Sequence, residues 1–544
     1  MKLKLDSLIE WAYVFLVSAF LLYIGMAVTM NYRLIHSFPY GFSASDAFGE
    51  IAYTEGIKDL GDYKFLPYYI RYGFSDTLGF HMPMFNHIAA IFSYVSGLPV
   101  WDSLLIIGFL FSIFSLLAMY SLIRNFNRNI ALIGIALAVF LYERNFSIIY
   151  TWGQWDLIMA TFFLISAVWV LDKFEIKYSY ILFALLASGV ALTHISEAIF
   201  LLIFTILFFV LKLLRKKLSS SDFKKLIISG ILALIFSFYY LLIFKVGYGA
   251  GGVDNSIKYQ APERFDVVLS QFGLFQFLIM AGLLVALILL FAGIESTALL
   301  FGSFMFFIGY TNFISSFAPR AFQTRYLWPI HLPVLIGALI YFKLKFIIKE
   351  WKVVYSIAIS LILAVSITLV YYQKTTNSGI INEQHWGALN WISQNTPKDA
   401  KLVYFYGDPY NQEAILWNQK RVSYRVNMED FVNAIKEGKV KREYNVEVAA
   451  ADDAELLYSK GAFSFGYHYR EINKTAYFGQ NDICKFDYFV FDKVGSQQAL
   501  IGYNAVIAND LIKSGIVQPV FDNGVVLILK NNEPGGNCVE ERNL

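Results

Sequence analysis

Uninterrupted apolar runs of about twenty residues recur through the first two-thirds of the chain, and such runs leave a polypeptide few folds. In lipid, each backbone N–H and C=O must be paired within its own segment, so a run that crosses a bilayer crosses as a helix. Eleven runs read as spans, roughly 9–30, 102–123, 130–142, 154–171, 178–193, 196–214, 226–244, 269–292, 296–316, 325–342 and 353–372. The third is short and extends toward Ser147. The first, Ile9 to Met30, lacks a small-residue cleavage site and reads as a retained span. Composition agrees: 16% of residues are charged, against about 25% in an ordinary soluble domain.

The expected fold is a membrane all-α polytopic bundle over residues 1–372, with about eleven transmembrane helices plus interfacial helices. A soluble mixed α/β domain is expected over 373–544. Its helix-like segment is Trp386–Asn395, closed by Thr396-Pro397, and its strand-like runs are Leu402–Tyr406, Phe486–Phe491 and Val525–Leu529. The charge balance shifts at the same place. Residues 1–372 hold 26 Lys+Arg against 20 Asp+Glu, and residues 373–544 hold 18 against 21. No block of like charge points to nucleic acid.

Basic residues set the expected sidedness. Lys2 and Lys4, Arg124 and Arg128, Lys173 and Lys177, Lys212 through Lys225, and Lys343 through Lys352 fall in alternate loops and belong on the cytoplasmic side. For this to hold, Met84–Gly97 must not cross, and its length of about fourteen residues suits an interfacial or re-entrant helix. The chain is then a multi-pass protein of the cell membrane, with a cytoplasmic amino terminus and residues 373–544 extracytoplasmic. Both cysteines, Cys484 and Cys538, fall in that outer part. A Cys484–Cys538 disulfide is open there, with free thiols as the alternative.

On this topology the polar groups gather on the outer face. The first outer loop, Asn31 to Trp101, carries Asp46, Glu50, Glu55, Asp59 and His81. The second holds Trp152-Gly-Gln-Trp-Asp156 and the third is the turn Thr193-His-Ile-Ser-Glu197. The fourth carries Lys258 and Arg264, and the fifth Arg320 and Arg325. Ionisable groups beside apolar helices are expensive and therefore candidates for function. A carboxylate such as Asp46 can deprotonate an acceptor hydroxyl or, with Glu50 one helical turn on, hold a divalent metal such as Mg or Mn. Arginines suit a phosphate leaving group through paired hydrogen bonds. Structural roles compete: Asp46 as a helix cap, Asp156 as a first-turn carboxylate, His194 as a polar turn residue, Arg325 as an interface anchor.

Taken together these elements resemble the polytopic GT-C glycosyltransferases, which use polyprenyl-phosphate sugars. The resemblance rests on Asp46 in the first outer loop, His81-Met-Pro-Met-Phe-Asn-His-Ile before the second span, and Gly153-Gln-Trp-Asp156 at the start of the fourth. It rests also on Leu192-Thr-His-Ile-Ser between paired spans and Arg325-Tyr326 opening a late one. Trp386–Ala400 looks like the start of the outer domain in archaeal and bacterial members. The sequence departs from relatives in lacking a Trp-Trp-Asp-Tyr-Gly signature and an Asp-x-Asp pattern. The Lys-Pro-Pro of some relatives is here His81-Met-Pro83.

The resemblance implies a hexosyltransferase-like enzyme using a dolichyl-phosphate type of donor and a glycan, lipid or protein acceptor. Asp46 is the expected base, Glu50 its helper or a metal ligand, and Asp156 orients the base or the acceptor. Arg320, Arg325, Lys258 and Arg264 would hold the lipid phosphate. His81, Trp152, Gln154, His194 and Glu197 complete the substrate-binding set. A non-catalytic scaffold of the same fold, and a transporter, are the alternatives.

Overall fold

The fold comes from a computed structural model that describes residues 5–29, 33–61, 66–70, 82–135, 150–250, 275–291, 296–310, 379–426, 445–449, 456–459, 468–471, 479–496 and 498–535. Helices dominate up to Tyr310. They are α1 (Leu5–Thr29), α2 (Ser45–Leu60), α3 (Met84–Ser96), α4 (Val100–Phe126), α5 (Trp155–Asp172), α6 (Ser179–Ala191), α7 (Ile195–Leu214), α8 (Ser220–Ala250), α9 (Phe275–Phe291) and α10 (Thr297–Tyr310).

Among the described residues four helical segments are long and apolar enough to cross a membrane: Val100–Phe126, Trp155–Asp172, Ile195–Leu214 and Ser220–Leu241. The expected spans at 325–342 and 353–372 lie outside the described residues, as does the second half of 130–142. Local chemistry sets the ends. Pro99 precedes α4, Asp102 lies in its first turn and Arg124 in its last, matching the sign of the helix dipole at each end. At the ends of α2 and α3, Gly61 and Gly97 adopt positive φ (67° and 72°) and donate back to Ile57 and Ser93. These left-handed positions favour glycine.

Helix α3 does not continue into α4, and a short Gly-Leu-Pro break separates them. One face of α3 buries Phe85, Asn86, Ala89 and Ser93, while Ile91, Tyr94 and Val95 are exposed at i, i+3 and i+4. An apolar stripe turned away from the protein suits a helix lying at a membrane interface. Helix α4 packs along α5, α5 along α6, and α6 against α8. Two polar clusters built on buried carboxylates tie the bundle at its ends. Glu10 of α1 receives Arg124 and Arg128, and His36 Nδ1 lies 2.7 Å from Asp102 Oδ1 at the start of α4.

From Gly379 onward the chain forms a mixed sheet flanked by helices. Helix α11 (Glu383–Asn395) leads into β1 (Lys401–Tyr404), α12 (Glu413–Trp417) and β2 (Val422–Val426). Then follow β3 (Asn445–Ala449), β4 (Leu456–Ser459), β5 (His468–Glu471), β6 (Gly479–Asp482) and β7 (Tyr488–Asp492). Helix α13 (Gln498–Lys513), β8 (Val517–Asp522) and β9 (Val526–Asn531) complete it. The seven-stranded order is β6-β3-β2-β1-β7-β9-β8, and β4 pairs separately with β5. Strand β1 runs parallel to both β2 and β7, and the remaining pairs are antiparallel. All five residues of β7 are buried, as a strand covered on both faces must be.

One apolar core joins the two parts. Phe42, Phe48, Phe85, Leu104 and Trp155 belong to the same buried cluster as Trp386, Leu389, Tyr404 and Ile415. The α/β part is packed onto the helical part.

Candidate active site

The candidate site is built where the first loop meets the Trp152–Asp156 turn, with α3 packed on α2 and its first residue bonded to the α6–α7 turn. Asp46 is exposed in the first turn of α2. Ala44 is the residue at the cap, and no side chain caps the helix. The Asp46 carboxylate instead accepts from Gln154 Nε2 at 3.1 Å. Gly153 makes that approach possible. Its φ is 88°, and a Cβ there would lie 2.4 Å from Ala47 Cα and 2.5 Å from Ala47 N. Only a residue without a side chain lets the two backbones touch. Alongside, Ser43 N donates to Thr151 O at 2.8 Å and Ser43 Oγ to Thr151 Oγ1 at 2.6 Å.

Trp155 anchors this contact from below. Its ring is fully buried, 5.3 Å from Phe42 and 6.3 Å from Phe85. It also fills the space over Gly108 of α4, where a Cβ would lie 2.9 Å from Trp155 Cδ1. Trp152 is exposed. Asp156 is half-buried, and its Oδ1 accepts from Leu157 N at 2.7 Å, so it behaves in part as the first-turn carboxylate of α5.

Glu50 shares a face of α2 with Asp46 but is buried and turned toward α3. Asn86 Nδ2 donates to Glu50 Oε2 at 2.7 Å and to Thr54 Oγ1 at 3.0 Å. Among the described residues no group of three His, Cys, Asp or Glu is arranged to hold a metal ion. Mg and Mn usually take six oxygen donors. Such an ion keeps several waters and needs only one or two carboxylates from the protein, which Asp46 and Glu50 would supply; no step is assigned to a metal.

The Thr-His turn is joined to α3. Met84 N donates to Leu192 O at 3.2 Å, placing the start of α3 against the α6–α7 turn. His194 Nδ1 is hydrogen-bonded to Glu197, and both side chains are buried. The other carboxylate oxygen, Glu197 Oε1, is buried without a hydrogen bond. An unmatched buried oxygen of this kind calls for a donor.

The α/β part closes over α2. Gly49 lies under Trp417, and Asn418 Nδ2 donates to Phe48 O at 3.2 Å. Lys420 Nζ pairs with Asp59 at 2.8 Å and Glu55 at 3.3 Å. Burial works against the Lys420 charge, but the two carboxylates outweigh it and its pKa is raised. Ile380 N donates to Phe42 O at 2.8 Å, and Trp386 packs edge-on against Trp101 with centroids 5.3 Å apart.

Of the expected site residues, the structure pairs Asp46 with Gln154 and His194 with Glu197, Glu50 is held by Asn86, and Trp152 and Asp156 lie on the same turn as Gln154. His81, Lys258, Arg264, Arg320 and Arg325 lie outside the described residues. Cys484 is disulfide-bonded, and the one other cysteine of the sequence, Cys538, lies outside them as well. Three residues escaped the sequence reading. Asn86 bridges α3 to α2, Ser43 ties the first loop to Thr151, and Asp102 holds His36 rather than merely starting a span. A lone amide in the apolar run Met84–Gly97 was the available signal for Asn86.

No protein-family model matches the sequence, and no curated protein matches it either. Solved structures do. The archaeal oligosaccharyltransferase AglB from Archaeoglobus fulgidus, in complex with an inhibitory peptide and a dolichol-phosphate, aligns with a TM-score of 0.55 at 10% identity, covering 96% of this chain and 88% of that chain. ArnT from Cupriavidus metallidurans in the apo state aligns with a TM-score of 0.53 at 12% identity, covering 97% and 99%. ArnT bound to undecaprenyl phosphate aligns with a TM-score of 0.52 at 11% identity, covering 97% and 99%. With nearly the whole chain aligned to each, the protein shares the fold of these solved structures.

Proposed function

We propose that the protein transfers a glycosyl group from a polyprenyl-phosphate donor to an acceptor at the membrane face that carries the α/β part. The observation that carries this reading is the exposed Asp46 carboxylate, fixed by Gln154 and by the bare backbone of Gly153. The lipid phosphates bound to AglB and ArnT in their structures support the choice of donor. Asp46 takes the proton of an acceptor O–H while that oxygen forms a bond to the anomeric carbon. The bond from that carbon to the phosphate oxygen breaks, and the lipid phosphate leaves with the electron pair. Attack opposite the leaving group inverts the anomeric centre.

The remaining residues support this step. Gln154 orients the base, and Asn86 keeps Glu50 turned away from it. His194, positioned by Glu197, is a candidate contact for phosphate or sugar, with Asp156 and Trp152 at the rim. Arg320, Arg325, Lys258 and Arg264 are the candidate cations for the leaving phosphate. The C-terminal part is taken as extracytoplasmic, so the acceptor would be met outside the cell.

The test is transfer of labelled sugar in membranes containing wild type or Asp46→Asn at equal abundance. A general base contributes about 10²–10⁴-fold, so Asp46→Asn loses at least about a hundredfold. Full activity in Asp46→Asn would mean that another group is the base.

A further inference from the structure

Asp46 sits in the first turn of α2, and that turn has no side-chain cap of its own. An uncapped first turn frays unless groups outside the helix hold it. The segment just before α2 is held in this way. The peptide joining Phe42 to Ser43 is gripped on both sides: its C=O accepts from Ile380 N at 2.8 Å, and its N–H donates to Thr151 O at 2.8 Å. One planar unit thus links the start of the α/β part to the segment that leads into α5.

The side chains repeat the backbone contact. Ser43 Oγ donates to Thr151 Oγ1 at 2.6 Å. Three residues further along both segments, Gln154 Nε2 donates to Asp46 at 3.1 Å. Ser43 pairs with Thr151 and Asp46 with Gln154, so the two segments keep the same offset from one contact to the next. A single amide contact sets the distance to the carboxylate. Two contacts three residues apart also set the direction of the turn that bears it. Thr151 is fully buried, so it acts through the chain rather than on a substrate.

We propose that Ser43 and Thr151 are positioning residues for glycosyl transfer: their paired backbone and hydroxyl contacts fix where Asp46 meets the acceptor. The inference rests on the reading of Asp46 as the base. A catalytic group misplaced by about 1 Å can cost roughly a hundredfold in rate. Loss of the hydroxyl pair is therefore expected to lower kcat by about ten- to a hundredfold, with the KM for donor unchanged.

The test compares Ser43→Ala and Thr151→Val with wild type in nanodiscs, following transfer of labelled sugar from a polyprenyl-phosphate hexose at donor concentrations spanning KM. Thr151→Val keeps the shape of the side chain and removes only its hydroxyl, so the test stands even where Ser43→Ala fails to fold. Each variant should show the lowered kcat at wild-type KM, and Thr151→Ser, which keeps the hydroxyl, should recover most of the rate. Adding Ser43→Ala to Asp46→Asn should cost nothing further, because the effect passes through Asp46. Wild-type kcat in both single variants, alongside an impaired Asp46→Asn, would overturn this inference alone. So would a further loss on top of Asp46→Asn, or a raised KM at unchanged kcat, either of which marks a merely structural contact. Full activity in Asp46→Asn would overturn the reading of the base and this inference together.

Discussion

Gly153 and Asn86 carry the geometry of the site at the level of single residues. Adding a methyl group at Gly153 forces a strained positive φ, about 1–3 kcal/mol, and drives the two backbones apart. Gly153→Ala is therefore expected to lower both thermal stability and transfer activity, whereas a neutral change at exposed Trp152 should spare stability. Thermal unfolding in detergent together with labelled-sugar transfer separates the two. Asn86→Leu leaves the buried Glu50 carboxylate without its amide donor, a loss of about 1–3 kcal/mol. A melting temperature equal to wild type would mean that water or another donor replaces the amide.

Asp46 and the Gly153–Asp156 turn were legible in the sequence because acidic and amide side chains next to apolar helices stand out. Asn86 was not, since its partner Glu50 is 36 residues away and only folding shows which neighbour an amide serves.

Among the elements, α3 and three of the four helices long and apolar enough to cross a membrane were the most readable, because the bilayer dictates length and period; the expected count of eleven spans is not reached among the described residues. Helices α4, α5 and α7 begin and end within about three residues of the expected bounds. The α11 helix and strands β1, β7 and β9 also fall where they were expected. Their order did not follow from pattern, because β1 pairs in parallel with β7, some 86 residues later. No local signal encodes such a pairing.

The loops that leave β1 and β7 meet at Asp408, which accepts from Tyr406 Oη and from Ser496 N at 2.6 Å. Burial raises its pKa, but these donors outweigh it and the net shift is downward. A carboxylate whose pKa is lower when folded stabilises the fold above its unfolded pKa and loses that contribution as pH falls through the folded value. Asp408→Asn is therefore expected to melt lower than wild type near neutral pH. The difference should shrink as pH drops below about 4, the ordinary aspartate range. A constant gap from pH 7 to 3 would exclude this role.

At the scale of the whole molecule, the largest buried cluster among the described residues crosses between the two parts, while a second lies within the α/β part. Phe48 packs against Trp386 and Phe42 against Phe48, and α2 is held by Asn418 and Lys420. The element bearing Asp46 is thus clamped from both sides. A chain ending at residue 378 is expected to aggregate on size-exclusion in detergent, because it exposes Phe48 and the face of α2 beneath Trp417. A monodisperse truncated protein would show the two parts to be independent. The composition shift near residue 373 told of two parts but not of their docking, since docking residues look like ordinary core residues in either part.

The central claim is that Asp46 drives transfer from a lipid-phosphate sugar. Its most direct measurement is the release of free polyprenyl phosphate from a labelled polyprenyl-phosphate hexose by purified protein in nanodiscs, with acceptor-containing lipid extract. Wild type should release it together with a labelled product of inverted anomeric configuration, and Asp46→Asn should release at least about a hundredfold less. Release at the wild-type rate by Asp46→Asn, or none by the folded wild type across donors and extracts, would contradict the account.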